Sequence, residues 1–424
     1  MKPSLIAALM LAAAAPAFAQ DAPRILPPVD PSVEALRDAA LHDDYAWDIT
    51  EGLTTEVGPR LDGTPAEARA RDWAVARLRA LGFSNIRVEP FTITNWTRGA
   101  ESAEILAPFP QRLVIGALGN SASTGPGGIT GEVVGFDSEQ ALEAAPDEAV
   151  RGKIVFVSHA MPRTQDGSGY GFFGGPRRQG PSVASRKGAL AIVIRSIGTD
   201  YHRNPHAGVQ TFADGVKPIP AGALTLPDAD QLLRILKRGK PVTMHLTLVS
   251  QSGPAPSANV IAEVPGRDPS LPPVLVGGHL DSWDQGTGAI DDATGIAIAT
   301  AAAKRIMDAG RPLRTIRLVW FGSEELGLFG GRDYFARHGK EPHYALAESD
   351  FGAGRIWRVN SKLGKDREPE ALMLQAALAP LGIVPGALDK VDPEALRQNV
   401  AAWTAMLAVL AGPIEPGPKP RKRR

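Results

Sequence analysis

Three short apolar runs between Val274 and Ser349 each end on ionisable residues, and this repetition limits the fold more than any other feature of the chain. Val274–Gly277 leads into His279-Leu280-Asp281, Thr315–Phe321 into Glu324-Glu325, and Tyr344–Ser349 into Asp350. Short apolar runs bounded by turn residues read as buried strands. Helical stretches separate them: Ala293–Ala309, stopped by Gly310, and Phe329–His338. Strand and helix in alternation imply an α/β layer structure, whose reactive crevice lies beyond the carboxyl ends of the strands. The ionisable residues fall at those ends. Asp291-Asp292 join them at the start of the Ala-rich helix, where the macrodipole favours a carboxylate.

Several carboxylates in one crevice repel unless a cation neutralises them, and a divalent metal is the simplest resolution. The chain has no cysteine, so a metal site must use His, Asp and Glu, which suits a catalytic ion better than a structural one. In His279-x-Asp281 the second residue can steady the imidazole or its loop. Adjacent Glu324 and Glu325 can divide their roles, one binding metal and the other acting as general base. Taken singly, Asp291 reads equally well as a helix cap and Glu324-Glu325 as a solvated pair. Their joint placement at successive strand ends favours the metal centre.

The rest of the chain frames this region. Lys2, the apolar stretch Leu5–Ala15 and Ala17-Phe18-Ala19 form a secretory signal over 1–19, too short an apolar run to span a bilayer, which needs about 20 residues. Export to the periplasm or the extracellular space is therefore expected. Thr64-Pro65-Ala66-Glu67 combines an N-cap, Pro at the first helical position and a capping-box Glu. The helix it starts should bury Ala74, Leu78 and Leu81 and end at Gly82, followed by a strand over Phe83–Phe91 closed by Pro90. From 109 to 256 the texture changes to short β-like pieces (Leu113–Leu118, Gly131–Gly135, Lys153–Val157, Ala189–Ile194 and Val242–Leu248) with one clear helix, Asp228–Arg238. This reads as a mostly β inserted domain, with Ser250–Ser257 as its return linker. Around it, 20–108 and 257–412 form the two parts of one α/β domain. The last helix should start at Asp392-Pro393 and run to Leu410, leaving 413–424 as a basic solvated tail.

Lys+Arg and Asp+Glu both total 46, so no global field points to nucleic acid or an anionic membrane. The expected partner is a small substrate, with a homodimer left open.

Gly278-His279-Leu280-Asp281-Ser282-Trp283-Asp284, Gly288-Ala289-Ile290-Asp291-Asp292, Trp320-Phe321-Gly322-Ser323-Glu324-Glu325 and Glu348-Ser349-Asp350 together resemble the dinuclear-zinc exopeptidases of the carboxypeptidase Q type. Bacterial leucyl-type aminopeptidases and glutamate carboxypeptidase II are of the same superfamily. The likeness extends through Val57-Gly58-Pro59-Arg60-Leu61, Trp96-Thr97-Arg98-Gly99 and Arg151-Gly152-Lys153-Ile154-Val155. It implies a three-layer αβα domain with a mixed central sheet and an inserted protease-associated domain. Position by position it implies His279 and Asp350 on one zinc, Asp291 bridging, Glu325 on a second zinc, Glu324 as general base and Asp281 supporting His279. The implied substrate is a dipeptide or short peptide, with amino- or carboxypeptidase polarity open.

One piece of that pattern is missing. The family's second zinc takes a late histidine, yet no histidine occurs from Phe351 to Arg424. The region near Gly386, where Leu381-Gly382-Ile383-Val384-Pro385-Gly386 runs straight into Ala387-Leu388, is read as a deletion. One tight zinc and impaired hydrolysis are therefore expected. A non-catalytic binding protein on the same scaffold is the alternative. A single-zinc relative of glutaminyl cyclases is a third reading, which the missing histidine counts against. His42, His159, His202, His206 and His245 read as surface or locally bonded residues, and His338 or His343 as candidates for a substitute ligand.

Overall fold

The computed structural model describes residues 26–164, 169–350, 352, 354–356, 359, 363–383, 388–391 and 393–415. The expected signal segment, the junction at Gly386, the Asp392 cap and the basic run at the end lie outside them.

Thirteen strands are described: β1 Ser84–Ala107, β2 Gln111–Leu113, β3 Ile115–Ala117, β4 Ile129–Phe136, β5 Ile154–Val157, β6 Ala191–Arg195, β7 Ala221–Leu224, β8 Thr243–Val264, β9 Val274–His279, β10 Ile316–Phe321, β11 Ala345–Glu348, β12 Gly354–Ile356 and β13 Leu388–Val391. Eleven form one mixed sheet, with β11-β9-β10-β8 at one end and β8-β4-β5-β6-β7-β3 at the other. β9 runs parallel to β10 and β11, while β8 is antiparallel to β10, β4 and β1. The expected α/β class with a mixed central sheet is thus what the chain adopts.

Alternation along the strands builds the core. Val274 and Val276 of β9, Ile316, Leu318 and Trp320 of β10, and Val260, Ala262 and Val264 of β8 enter one large cluster. Helices Pro31–Ala40, Tyr45–Gly52, Pro65–Ala80, Thr294–Ala309 and Pro393–Ala411 supply its other half. Leu275, Val319 and Ile261 point to the opposite face, where Tyr334 of the helix Phe329–His338 meets them. Period-2 side chains packed on both faces give the three layers. Thr64 caps its helix as expected, accepting from the Glu67 N–H, and Ala70, Ala74 and Leu78 are buried while Leu81 packs at the margin.

Three expectations are corrected. Ser250–Ser257 is strand, not linker: β1 and β8 form a two-stranded ribbon from Ser84↔Glu263 to Ala107↔Thr243 that runs through both parts of the molecule. Its prolines are tolerated because β10 pairs only residues 260–264 of β8 and β4 only 243–246, so the stretch between has a free side. Pro90 likewise sits inside β1, not at its end. Second, the 109–256 segment is less purely β than its texture suggested. Glu139–Ala144, Gly180–Arg186 and Leu226–Leu236 are helical there, beside three four-residue helical turns, and β4, β5, β6 and β7 are parallel. Third, residues 413–415 are not loose tail, since Glu415 pairs with Arg311 and Arg267.

Candidate metal centre

Strand register fixes the site before side chains enter. Phe321 of β10 pairs with His279, and Glu348 of β11 with Gly277, so the three strands stop at one level. His279, Asp281, Glu324, Glu325 and Asp350 lie at or just past that level. Asp291 and Asp292 reach it from a π-helical turn, Ala289–Ala293, which leads into Thr294–Ala309. Their backbone angles are non-helical and no side chain caps that helix, so Asp291 is not a cap. Close approach around Asp292 demands glycine. A Cβ on Gly295 would lie 1.9 Å from Asp292 Oδ1, and one on Gly278 2.2 Å from Oδ2.

His279 is fully buried and held on both sides. Its backbone N–H donates to Asp292 Oδ2 at 3.0 Å. Nδ1 is 3.2 Å from the Asp281 carbonyl oxygen and 3.6 Å from the Asp281 carboxylate, so the carbonyl makes the closer contact. A proton on Nδ1 shared with that carbonyl leaves the Nε2 lone pair free. Nε2 faces Asp291 Oδ1 at 3.0 Å and Asp350 Oδ1 at 3.3 Å. Atoms about 2.0–2.1 Å from a tetrahedral zinc sit roughly 3.3 Å from one another, close to this spacing. Two trios converge within 4.8 Å: His279 with Asp292 and Asp350, and His279 with Asp291 and Glu325.

The electrostatics point to a cation. Burial, then Asp291, pushes Glu325 well above the usual carboxylate range. Burial also raises Asp292 far above it, with Asp350 and Asp291 adding repulsion. Glu324 is pushed up to about 7, chiefly by burial and then by Asp281, Asp350 and Asp291. Burial alone would depress His279, yet Asp281, Asp291 and Asp350 together hold it well above the ordinary imidazole range. Asp292 Oδ1 and Glu325 Oε1 are buried without a hydrogen-bond donor. An imidazole nitrogen, clustered carboxylates and two donor-less buried oxygens fit a divalent ion of the zinc type.

The Glu324-Glu325 turn is docked by carboxylates behind it. Asp281 accepts from the N–H of Glu324 at 2.9 Å and of Glu325 at 3.0 Å, and Asp62 Oδ2 accepts from Leu326 N–H at 3.0 Å. Burial and the adjacent Asp281 hold Asp62 well above the carboxylate range. Ser323, at φ 55°, bonds Ser257 at 2.8 Å, and Ser257 bonds Glu67 at 2.5 Å. Arg60, fully buried, donates to the carbonyls of Leu280 and Thr287 at 2.5 Å and Gly288 at 3.0 Å, tying down the loop between His279 and Asp291.

All six residues singled out in the sequence come together here. His338 does not join them: it bonds Glu89 at 2.9 Å and Glu341 at 2.7 Å, and His343 bonds Tyr334 at 3.1 Å. Sequence reasoning missed Asp292, Asp62, Glu67 and the role of Arg60. Asp292 was visible as the neighbour of Asp291, but Asp62 and Glu67 lie some two hundred residues or more from the groups they hold.

Comparison with known proteins agrees with this geometry. Residues 259–353 match Peptidase family M28. Human carboxypeptidase Q is 38% identical over 337 residues, covering 78% of this chain and 70% of that protein. The bovine protein is 38% identical over 304 residues, 71% of this chain, which spans only 63% of the bovine length. A Peptidase M28 precursor of Shewanella amazonensis superposes with a TM-score of 0.86 at 41% identity, over 92% of this chain and 98% of that one. With this degree of identity and a shared fold, the chain belongs to peptidase family M28.

Proposed function

We propose that the chain is a zinc-dependent exopeptidase acting on dipeptides or short peptides. The observation that carries this is His279 Nε2 set between Asp291 and Asp350 with Glu325 beside them, while Glu324 stands free of the cluster on the same turn. Similarity to carboxypeptidase Q supports the reading.

His279, Asp291 and Asp350 would hold one zinc, with Asp291 and Glu325 reaching toward a second. Zinc, when bound, supplies Lewis acidity toward a peptide carbonyl and lowers the pKa of water. Glu324, on its own basicity near neutral pH, takes the proton of the attacking water and returns it to the leaving amine. Asp281 and Asp62 keep the backbone of that turn fixed, so the carboxylate of Glu324 arrives in one position. His279 is oriented by the Asp281 carbonyl and by Asp292.

The chain retains no histidine after Asp350, so we assign it one tight zinc and impaired turnover, with residues missing near Gly386. The same absence favours the second reading, a binding protein on a peptidase scaffold. We also assign 1–19 as an export signal, 109–256 as a protease-associated insert, and the periplasm or extracellular space as location. No helix among the described residues is long and apolar enough to cross a membrane.

Zinc per chain by mass spectrometry, together with Ala-Ala hydrolysis, tests this. One zinc with measurable turnover that Glu324→Gln abolishes supports the peptidase. One zinc without turnover supports the binding protein, and no retained zinc refutes both.

A further inference from the structure

Among the described residues, those other than glycine with a left-handed backbone are Asn85, Asn120, Ser323 and Leu328. Asparagine tolerates that conformation, so the first two need no special cause. Ser323, at φ 55°, and Leu328, at φ 58°, bracket the turn that carries Glu324. Backbone strain of this kind persists only where the surroundings over-determine it, and it concentrates at functional sites.

What holds Ser323 begins at the helix Pro65–Ala80. The pattern Thr64-Pro65-Ala66-Glu67 predicts a glutamate that reaches back to the Thr64 N–H. That N–H instead donates to the Leu61 carbonyl, and Glu67 Oε2 takes the Gly63 N–H at 2.7 Å with Arg71 at 2.9 Å. The other oxygen, Oε1, accepts from Ser257 at 2.5 Å, and Ser257 in turn accepts from Ser323 at 2.8 Å. All three side chains are buried. A helix cap works at the surface, and burying a carboxylate for that purpose alone is costly. Glu67 is therefore placed for what its Oε1 holds. Two residues along β8 from Ser257, on the same face, Asn259 grips both ends of the turn. It accepts from the Gly322 N–H at 3.0 Å and donates to the Gly330 carbonyl at 2.9 Å. The fit leaves no slack, since a Cβ on Gly322 would lie 2.4 Å from the Ala258 carbonyl oxygen.

We infer that Glu67, Ser257 and Ser323 are positioning residues for the proposed base: their hydrogen-bond chain holds Ser323 in its left-handed conformation and so aims the Glu324 carboxylate into the crevice. The role of Glu324 rests on the peptidase reading. Each hydroxyl has one proton, which Ser323 gives to Ser257 and Ser257 gives to Glu67, so the carboxylate is the final acceptor. Asp281 and Asp62 fasten the N–H groups of residues 324–326, and this chain fastens the residue before them.

The test compares zinc-loaded Ser323→Ala, Ser323→Gly and Ser257→Ala with the parent and with Ala303→Gly, a change inside the helix Thr294–Ala309 that lowers stability without touching the turn. Hydrogen exchange over residues 322–328, read by mass spectrometry, is measured beside kcat and KM for Ala-Ala. Ser323→Ala and Ser257→Ala should each speed exchange of the turn by about tenfold more than that of the rest of the chain. Their kcat should fall roughly 10- to 100-fold, the loss expected when a reacting group moves by about 1 Å, with KM within about twofold and zinc content unchanged. Ser323→Gly should melt nearer the parent, because glycine accepts the left-handed backbone, yet lose kcat as the Ala variant does. Ala303→Gly should melt lower and keep the parent's kcat. Parent-like kcat in Ser323→Gly would show that the conformation suffices without the hydroxyl, and would overturn the assignment. Turn exchange in Ser323→Ala or Ser257→Ala that rises no more than elsewhere in the chain would overturn it too. A parent that hydrolyses no Ala-Ala removes the peptidase reading, and the role of the base with it, even where exchange shows the turn anchored.

Discussion

Replacing Asp281 by Asn changes one atom and places an amide donor where two backbone N–H groups need acceptors. In the native turn Glu324 N–H and Glu325 N–H each find one oxygen of Asp281, at 2.9 and 3.0 Å, in a fully buried setting. The single amide oxygen of the Asp281→Asn variant could serve one of them. The other is stranded, at a cost of about 1–3 kcal/mol, and the retained bond loses its charge assistance, roughly another 1 kcal/mol. Against this, the repulsion that Asp281 exerts on Asp62 is relieved, which offsets part of the loss. A net destabilisation of about 2 kcal/mol is expected, or a melting-temperature drop of roughly 4–8 °C for a unit of this size. Asp62→Ala strands only the Leu326 N–H and should cost about half as much, about 1 kcal/mol. The double variant should fall short of the sum, because the two carboxyls interact. Zinc retention against a chelator series should weaken about 10- to 100-fold in Asp281→Asn, as for other groups that orient metal ligands. If Asp281→Asn melts and retains zinc like the parent, the docking of the Glu324-Glu325 turn by carboxylates is wrong.

Three other outcomes follow from the same geometry. Glu324→Gln should lose peptide hydrolysis by at least about 100-fold while its zinc content stays at the parent value, read by mass spectrometry and an amine-release assay. Stripping the metal with a chelator should lower the melting temperature, and zinc at about 100 times its dissociation constant should restore roughly 2.7 kcal/mol by mass action; a melt indifferent to zinc contradicts the cation assignment. Burial, then Arg177, holds His206 down to about 4, below its unfolded value, so the unfolded chain binds the extra proton between these values. Stability from this group is full above about pH 6.5 and lost as pH falls toward 4; because His206 is solvent-exposed, screening keeps the loss by pH 5 to about 1 kcal/mol or less. Urea midpoints at pH 7.5 and 5 should show this loss in the parent and not in His206→Gln.

Local signals carried far where the chemistry is local. Thr64, Pro65 and Gly82 marked a helix that the structure delimits at Pro65–Ala80, and Phe329–His338 was bounded correctly. The strand ends bearing His279, Glu324 and Asp350 were readable because an apolar run and the residue after it are adjacent in sequence. The β1–β8 ribbon was not, because Gly253, Pro254 and Pro256 have the composition of a linker and only the partner strand shows which of their edges is free. β7, four buried residues of which three are Ala or Gly, gave no periodicity to read.

The order of apolar runs and acids along the chain was sufficient to determine an α/β layer structure with a cluster of metal-binding groups at one sheet edge, since both follow from neighbours along the backbone. Tertiary structure alone decided which carboxylates face the imidazole and which lie behind the turn. Asp291 and Asp292 are consecutive, yet one meets His279 Nε2 and the other its backbone N–H. Asp62 and Glu67 reach the same turn across more than 180 residues. Sequence distance carries no information about such contacts, because the folded sheet and its packed helices set them.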